Sequence, residues 1–358
     1  MSTQGNTEVK PCLITGGCGF VGRNMTLRQL SMGKEVWVID DLSTGSDPSE
    51  WLPEGYQQQA GQHPSITVFQ GPQKLIFLKG DLLRLMAGGL DSDGIQLPKF
   101  GDVFHFAAVV GGRATIEGNP MAVAIDLAMD SCMFNWAVRD GNVERMLYPS
   151  SSAAYPISMQ ESEGHVALKE SDIEFGGALG QPDMTYGWSK LTGEYLARVA
   201  AEHYGLHVAC VRPFSGYGED QDESYPIPAI AARAARKESP ITVWGSGLQG
   251  RDFVHIQDCI DFMLLVLDKI SDGSAANIGS GQLTNFRQVA ALFVELAGYE
   301  TEVKPLVDKP VGVHSRYGDP TFSREVLGWE PKISIREGFA RVLAEARKRH
   351  GIADEVGA

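Results

Sequence analysis

A glycine-rich segment near the start of the chain is the strongest constraint on its fold. A short apolar run that begins at Cys12 leads into Leu13-Ile14-Thr15-Gly16-Gly17-Cys18-Gly19-Phe20-Val21-Gly22. The glycines at positions 16, 19 and 22 permit a tight turn, a close approach of the backbone to a bound group, and close packing of a helix on a strand. The spacing therefore predicts a strand, a phosphate-binding turn and a helix, in that order.

Short apolar runs alternate with helical stretches over the first two-thirds of the chain, which is typical of a parallel sheet with crossover helices. We predict strands at Cys12–Thr15, Glu35–Ile39, Leu75–Leu78, Val103–Phe106, Arg145–Tyr148 and Val208–Val211, and helices at Phe20–Met32, Pro120–Asp140 and Tyr186–Tyr204. Beyond Arg212 the elements become shorter, and Gly, Pro and acidic residues become more frequent.

The predicted fold class is therefore α/β, a Rossmann-type doubly wound parallel sheet with a smaller C-terminal substrate-binding lobe. We assign residues 1–212 to the large domain and residues 213–358 mainly to the lobe, with some elements returning to the large domain. Ligands bind at the carboxyl ends of the strands in such sheets, so we expect the substrate in a cleft between the two parts.

Two polar stretches have alternative interpretations. Gln57–Gln73, between the second and third predicted strands, is expected to be a surface loop, with a lid over a ligand site as the alternative. The acidic run Glu219–Glu223 is expected to be a solvated loop, although its place at the junction of the two parts leaves contact with the substrate open.

Composition excludes several kinds of partner. The formal charge of -14 over 358 residues argues against a nucleic-acid or anionic-membrane surface. No apolar run approaches the roughly 20 residues needed to span a bilayer. The N-terminus is polar and lacks a signal-peptide core, so we expect a cytoplasmic protein. The five cysteines are scattered, which predicts reduced buried thiols rather than a disulfide framework or a metal site.

The second predicted strand is followed by an acidic residue that favours one cofactor. Asp40 lies 18 residues after Gly22, where a carboxylate can bind the ribose hydroxyls of NAD and repel the 2′-phosphate of NADP. The N–H groups at the start of the first helix would hold the pyrophosphate. Arg23, beside the last glycine, keeps NADP as an alternative. The sequence predicts NAD.

Other residues near the ends of the predicted strands are expected to line the same cofactor site. Asp81 could accept a hydrogen bond from the adenine amino group, or it could cap a helix. The small residues Ala107 and Ala108 would let a ring lie flat against the backbone. The predicted cofactor-binding residues are Gly16, Gly19, Phe20, Val21, Gly22, Asp40, Asp41, Ser43, Asp81, Leu82, Ala107, Ala108, Lys190 and Pro213.

A tyrosine and a lysine further along the chain indicate chemistry at this site. Tyr186 and Lys190 are four residues apart in a predicted helix, so they share a helix face. An ammonium beside a phenol favours the phenolate, which lets a tyrosine act as a base near neutral pH. The serine-rich turn Ser150–Ser152 could hydrogen-bond a reacting alcohol or carbonyl, although serines also occur simply in turns. In this order after a nucleotide-binding turn, these residues predict a hydride-transfer site.

Together with Arg251–Ile256, Asn277–Gly281 and Leu327–Trp329, these motifs resemble the extended short-chain dehydrogenase/reductase superfamily, in its NAD-dependent nucleotide-sugar epimerase/dehydratase branch. The resemblance runs from about Cys12 to Trp329. It implies that Tyr186 is the acid/base on a sugar hydroxyl, assisted by Ser151, and that Lys190 holds the nicotinamide ribose.

The resemblance also implies the substrate and the assembly. The substrate would be a nucleotide-diphosphate sugar, with arginines gripping the diphosphate bidentately. The homodimer would form through helices near residues 120–140 and 186–204. The implied substrate-binding residues are Gly111, Gly112, Ser152, Ser215, Arg251 and Arg316.

Departures from the family pattern narrow the expected reaction. Segments 107–112, 151–156 and 312–316 look most similar to the GDP-mannose 3,5-epimerases, which carry a cysteine acid/base where this chain has Ala153. No lysine occurs near Tyr225–Pro228 to serve as their second base. Epimerisation of a ring carbon beside a ketone needs two such groups, one for each face. Ala153 also cannot replace the acidic residues that the 4,6-dehydratases and sugar-acid decarboxylases carry at this place.

We therefore predict an NAD-dependent nucleotide-sugar epimerase that acts at C4 through a transient 4-keto sugar. This chemistry needs only Ser151, Tyr186, Lys190 and the cofactor. The alternatives are a nucleotide-sugar dehydrogenase or reductase, and a GDP-mannose 3,5-epimerase-like enzyme with altered bases. The complete Ser-Tyr-Lys set disfavours a catalytically silent NAD sensor.

Overall fold

The computed structural model describes residues 10–109, 117–139, 142–161 and 165–353. Within them the strands are β1 (Cys12–Thr15), β2 (Val36–Asp40), β3 (Gln57–Ala60), β4 (Ile66–Gln70), β5 (Lys74–Lys79), β6 (Phe100–His105), β7 (Val143–Pro149), β8 (His207–Pro213), β9 (Ser215–Tyr217), β10 (Ile241–Trp244), β11 (Gly250–Arg251), β12 (Phe253–His255), β13 (Asp272–Ile278), β14 (Thr284–Asn285), β15 (Val303–Leu306) and β16 (Ser315–Arg316).

Seven long helices accompany these strands in the described part of the chain. They are α1 (Phe20–Ser31), α2 (Ile125–Ala137), α3 (Met184–Tyr204), α4 (Pro226–Ala235), α5 (Ile256–Lys269), α6 (Phe286–Leu296) and α7 (Ile335–Arg349). Shorter helices cover Pro48–Trp51, Leu82–Arg84, Leu90–Ser92 and Pro120–Val123. Among these described residues no helix is both long and apolar enough to cross a membrane.

A nine-stranded sheet forms the centre of the molecule, in the order β13-β8-β7-β6-β1-β2-β5-β4-β3. The seven strands from β13 to β5 are parallel, and β4 and β3 are antiparallel. From β1 the chain builds outward through β2 to β5 on one side and then restarts at β6 on the other. This order confirms the predicted doubly wound α/β fold, and it places a ligand crevice at the switch point between β1 and β6.

Both faces of the sheet are covered by helices, which is why its central strands are continuously apolar. Ile14 faces a buried cluster that includes Met25 of α1 and Phe262 of α5. Its neighbour Leu13 faces a second cluster that includes Met133 of α2 and Ala197 of α3. Successive side chains of one strand thus enter opposite layers of the core.

A separate buried cluster organises the C-terminal lobe. It combines residues from α4, α6 and α7 with strands β10 and β12, and includes Ile230, Phe293 and Phe339. The strand β13, however, pairs with β8 and completes one edge of the large sheet. Part of the chain beyond residue 213 therefore returns to the large domain.

The prediction of a surface loop at Gln57–Gln73 is wrong. The strands β3 and β4 form an antiparallel pair that extends the sheet from β5. Phe69 of β4 is buried against the same cluster as Leu75, which gives this pair a place in the core. On the outermost strand β3 the side chains are exposed and polar, which discourages pairing with another chain.

The other predicted elements occur with small shifts at their ends. The predicted helix Pro120–Asp140 is divided into a short helix at Pro120–Val123, capped by the Asn119 side chain, and the longer α2. Asp140 lies outside the described residues.

Candidate active site

A cleft of about 2010 Å³ opens at the carboxyl ends of the parallel strands. All three predicted catalytic residues, Ser151, Tyr186 and Lys190, line it. So do all the predicted cofactor residues, namely Gly16, Gly19, Phe20, Val21, Gly22, Asp40, Asp41, Ser43, Asp81, Leu82, Ala107, Ala108, Lys190 and Pro213.

The predicted substrate-binding residues have more varied positions. Ser215, Arg251 and Arg316 line the cleft. Ser152 is only 2% exposed and is not part of the lining. Gly111 and Gly112 lie outside the described residues.

The glycine loop packs so tightly that side chains are excluded from it. Gly16 has a φ of 66°, and a Cβ added there would lie 2.6 Å from the backbone nitrogen of Ala107. A Cβ on Gly22 would lie 2.0 Å from the carbonyl oxygen of Gly16. No side chain caps the start of α1 at Gly19, so its first N–H groups are available to an anionic ligand in the cleft. This cradle fits the pyrophosphate of a dinucleotide.

Asp40 is oriented by the glycine loop itself. Its Oδ2 accepts a hydrogen bond from the Cys18 N–H at 2.9 Å, and its Oδ1 accepts one from the Leu42 N–H at 2.8 Å. Burial raises the pKa of Asp40, while these two N–H donors oppose the rise. Each carboxylate oxygen can accept a further hydrogen bond, as a ribose hydroxyl at this place requires.

Asp81 combines both of its predicted roles. Its Oδ1 accepts a hydrogen bond from the Arg84 N–H at 2.9 Å, which caps the helix Leu82–Arg84. The residue also lines the cleft. Capping therefore does not remove Asp81 from the site.

Arg23 is the residue for which NADP was kept as an alternative cofactor, and it forms an ion pair with Asp220 of the C-terminal half. Its Nε lies 2.5 Å from Oδ2 of Asp220, and the Asn24 side chain donates to the same oxygen at 3.0 Å. The acidic run Glu219–Glu223 is a loop, as predicted, and it also lines the cleft, where these contacts anchor it. Its Glu219 also pairs with His255 at 3.0 Å.

Ser151 lies just beyond the end of β7, in a turn that is hydrogen-bonded to a buried carboxylate. Its Oγ accepts a hydrogen bond from the Ala153 N–H at 3.1 Å. The preceding Ser150 donates to the buried carboxylate of Glu194. Glu194 forms a bidentate pair with Arg212, with N–O distances of 2.7 Å and 2.8 Å. This buried pair thus holds in place the carboxylate to which the serine turn is hydrogen-bonded.

The motifs beyond residue 250 join the two halves of the site. Asn277 accepts a hydrogen bond from the Tyr155 hydroxyl at 2.8 Å, which ties β13 to the serine turn. Asp252 accepts from the N–H groups of Ser280 at 2.8 Å and Gly281 at 3.0 Å. These motif residues organise the backbone around the cleft.

Helix α3 reaches the serine turn because of a glycine in its first turn. A Cβ on Gly187 would lie 2.3 Å from the carbonyl oxygen of Ala153. The Asp183 N–H donates to that same oxygen at 2.9 Å. This close approach brings Tyr186, the neighbour of Gly187, to the part of the cleft that Ser151 lines.

Lys190 is buried one helical turn further along α3. Its Nζ lies 5.9 Å from the centre of the Tyr186 ring, and the residue is only 3% exposed. Burial alone would lower the pKa of Lys190, but electrostatic interactions with Asp130, Tyr186 and Asp126 outweigh it and raise the pKa. Lys190 is therefore held in its charged form.

Asp130 is the main counter-charge of Lys190. Its Oδ2 accepts a hydrogen bond from the Tyr148 hydroxyl at 2.6 Å, and its Oδ1 lies 3.0 Å from Nε2 of His105. Burial by itself would raise the pKa of Asp130, but its hydrogen bonds and the charge of Lys190 lower it overall. The carboxylate is thus ionised beneath the lysine.

Asp126 lies one turn earlier on α2, and only one of its two carboxylate oxygens has a hydrogen-bond partner among the described residues. Its Oδ1 accepts from the Val109 N–H at 2.7 Å, whereas its Oδ2 has no hydrogen-bond partner among the described residues. Burial raises the pKa of Asp126 to about 6, against the opposing charge of Lys190. Sequence reasoning missed both acids, although their spacing of four residues in an apolar helix is a signal that could have identified them.

The two predicted diphosphate-binding arginines are already engaged by the protein. Arg251 donates to the carbonyl oxygens of Gly250 at 2.7 Å and Val313 at 3.0 Å. Arg316 pairs with the buried Asp183 at 2.8 Å. Both line the cleft, so these contacts hold them at its wall. Their role in binding a diphosphate stays a prediction.

Residues 12–279 match the sequence model of the NAD dependent epimerase/dehydratase family. Among curated relatives, GDP-mannose 3,5-epimerase 1 of Oryza sativa subsp. japonica is 27% identical over 91% of this chain and 79% of its own length.

Solved structures have the same fold. UDP-glucose 4-epimerase of Thermotoga maritima, solved with UDP-glucose, superposes with a TM-score of 0.76 at 24% identity, covering 95% of this chain and 99% of that one. The protein MoeE5, solved with UDP-glucose and NAD, gives a TM-score of 0.72 at 26% identity, with coverage of 95% and 99%. The glycine cradle and Asp40 fit the cofactor of this family. The chain belongs to the NAD dependent epimerase/dehydratase family, and it is an NAD-dependent enzyme of the extended short-chain dehydrogenase/reductase type.

Proposed function

We propose that this protein epimerises a nucleotide sugar at C4 through a transient 4-keto sugar. One observation carries the proposal: Ser151, Tyr186 and Lys190 line one cleft with the glycine loop, while the side chain beside them at position 153 is only a methyl group. Ser151, Tyr186 and Lys190 are suited to the oxidation of a carbinol carbon by NAD. A cysteine or carboxylate that could take a proton from a ring carbon is missing at Ala153.

In the proposed reaction, Tyr186 removes the proton of the C4 hydroxyl, and Ser151 hydrogen-bonds the same oxygen. Lys190, in its charged form one helical turn along α3, lies beside the phenol that takes this proton. NAD, held by the glycine loop and Asp40, would supply the hydride chemistry at C4, with removal from one face of the sugar and return to the other face after the keto sugar has turned. Tyr186 then gives its proton back to the C4 oxygen, which restores the enzyme.

The substrate we propose is a nucleotide-diphosphate sugar, with Ser215, Arg251 and Arg316 among its contacts. The positive charges of the two arginines at the cleft wall suit a diphosphate. Curated relatives named for both UDP-glucose and GDP-mannose support the class of substrate without selecting the base or the sugar.

Incubating the NAD-loaded protein with UDP-, GDP-, CDP- and dTDP-hexoses in D₂O tests the reaction. Product NMR should reveal inversion at C4 with no deuterium on carbon, because the hydride that returns is the one that left. Stoichiometric NADH would instead support a dehydrogenase. Deuterium at C3 or C5 would support a 3,5-epimerase and would refute the C4 proposal.

We further propose a homodimer that forms through α2, α3 and the short helix before them. These packed helices carry exposed apolar side chains, namely Met121, Ile125, Leu127, Trp188 and Tyr195. An apolar surface of this kind is typical of an interface. Light scattering should give twice the chain mass for the wild type and the monomer mass for Trp188→Glu. A monomeric wild type would refute the dimer.

A further inference from the structure

Tyr225 brings a second phenol into the cleft from the C-terminal lobe. It directly precedes α4, whose Ile227 and Ile230 belong to the core cluster of that lobe. Tyr225 and Tyr186 line the same cleft. In the sequence, the segment around Tyr225 stands out only because no lysine occurs there. The structure adds that Tyr225 itself lines the cleft.

The backbone around Tyr225 is held on both sides. Its N–H donates to the Asp222 carbonyl at 3.1 Å, and its own carbonyl accepts from the Ala229 N–H at 3.1 Å. Pro226 occupies the first helical position, where the missing N–H costs nothing and the fixed φ suits the helix. The ring is therefore attached to a preorganised helix start.

The hydroxyl of Tyr225 has no hydrogen-bond partner within the described ranges of the chain. Other tyrosines near the site do have partners. The Tyr148 hydroxyl donates to Asp130 at 2.6 Å, and that of Tyr155 donates to Asn277 at 2.8 Å. A phenol that is partly buried beside a binding site normally finds a partner, so this hydroxyl has one hydrogen bond to offer to a ligand.

The surroundings of Tyr225 keep its phenol neutral. Burial raises the pKa of Tyr225, and electrostatic interactions with Tyr186 and Asp222 raise it further. A neutral phenol donates a hydrogen bond but is a poor base for a carbon acid. Tyr225 thus differs from Tyr186, which has the ammonium of Lys190 beside it.

We propose that Tyr225 is a sugar-contacting residue, whose hydroxyl donates a hydrogen bond to an oxygen of the hexose and retains the keto sugar between the two hydride transfers. This inference rests on the proposed C4 epimerisation for the identity of the intermediate. The direct contact with the sugar does not depend on which carbon is inverted.

Calorimetry on the NAD-loaded, full-length protein tests the contact. The probes are UDP-glucose against UDP and GDP-mannose against GDP, and the variants are Tyr225→Phe and, as a control, Tyr204→Phe, whose side chain is exposed at the end of α3. We expect Tyr225→Phe to weaken binding of the sugar nucleotide by roughly three- to tenfold and to leave the nucleoside diphosphate unchanged. Tyr204→Phe should change neither.

Turnover gives a second readout. Tyr225→Phe should release more keto sugar, trapped as labelled hexose by borodeuteride, while its affinity for NAD stays that of the wild type. An equal loss of affinity for sugar nucleotide and nucleoside diphosphate would overturn the inference, as would no loss for either. Solvent deuterium at C3 or C5 that disappears in Tyr225→Phe would also overturn it, because Tyr225 would then be a base.

The two proposals can fail separately. A wild type that does not invert C4 refutes the proposed function, while the comparison of sugar nucleotide with nucleoside diphosphate still decides the role of Tyr225. A wild type that binds none of the four probes refutes both.

Discussion

The ammonium nitrogen of Lys190 lies 5.9 Å from the centre of the Tyr186 ring. The same nitrogen lies 5.2 Å from the centre of the Tyr148 ring, and electrostatic interactions with Asp130 and Asp126 raise the pKa of Lys190. An isolated buried lysine would lose its proton, but these neighbours keep it charged. The proposed catalytic pair is thus a phenol beside a cation whose charge is favoured by buried acids on α2.

Tyr186→Phe removes only the hydroxyl that the proposed reaction uses. We expect kcat to fall roughly 10²- to 10⁴-fold, the range typical for the loss of a general acid or base. Affinity for NAD, followed by tryptophan fluorescence, should stay unchanged. Tyr195→Phe on the same helix is the matched control. A kcat for Tyr186→Phe close to that of the wild type would remove Tyr186 from the mechanism.

Gly22→Ala should impair cofactor binding. The added Cβ would meet the carbonyl oxygen of Gly16 at 2.0 Å, and backbone atoms cannot yield as a flexible side chain can. We expect at least a roughly tenfold loss of NAD affinity by calorimetry, equal to about 1.4 kcal/mol. Gly176→Ala is the control, because a Cβ there meets nothing within 4 Å among the described atoms. Equal NAD affinities for the two variants would contradict this account of the loop.

Asp126→Asn should change how stability depends on pH. The folded protein holds the pKa of Asp126 at about 6, above its ordinary 3.8, so the native state binds this proton more tightly than the unfolded state. The associated stability is present below the ordinary pKa and is lost as pH rises through about 6. The full contribution of this group to the free energy of unfolding is about 3 kcal/mol.

The measurement is the free energy of urea unfolding at about pH 4 and about pH 8. The wild type loses the contribution of Asp126 as the pH rises, whereas the amide of Asp126→Asn does not titrate and can still accept from the Val109 N–H. The free energy of unfolding of Asp126→Asn, relative to that of the wild type, should therefore be higher at the upper pH than at the lower pH. A stability difference that is the same at both pH values would show that Asp126 has no raised pKa.

Glu194→Gln breaks a buried ion pair and loosens the serine turn. Arg212 would keep its charge without a full partner, which costs about 3 kcal/mol of unfolding free energy. The pair Arg336–Glu295 is the control, because its side chains are 55% and 64% exposed. Glu295→Gln should cost less than about 1 kcal/mol. Similar urea midpoints for the two variants would contradict the importance of the buried pair.

Much of the cleft could be predicted because its residues occupy places that local patterns specify. The turn after β1 needs glycines, and Asp40 closes the next strand. Tyr186 and Lys190 share a helix face at a spacing of four residues. Each of these inferences uses residues close together in the chain, where backbone geometry determines the spacing.

Long-range contacts could not be predicted in the same way. Nothing in the local pattern pairs Arg23 with Asp220, 197 positions away, or Arg316 with Asp183. The hairpin at β3 and β4 was also missed, because its outer strand is polar and only Phe69 contributes strongly to the core. Tyr225 lines the cleft because the tertiary structure places the start of α4 there, together with Ile230 of the same helix.

The sequence alone determined the doubly wound sheet, the NAD cradle and the Ser151-Tyr186-Lys190 set, since strand alternation, glycine turns and helical periodicity are local properties of the chain. The tertiary structure decided which charges surround Lys190, which arginines are already paired, and that a second phenol, Tyr225, lines the cleft. Those outcomes depend on packing between distant segments, where burial and neighbouring charges set the state of each group.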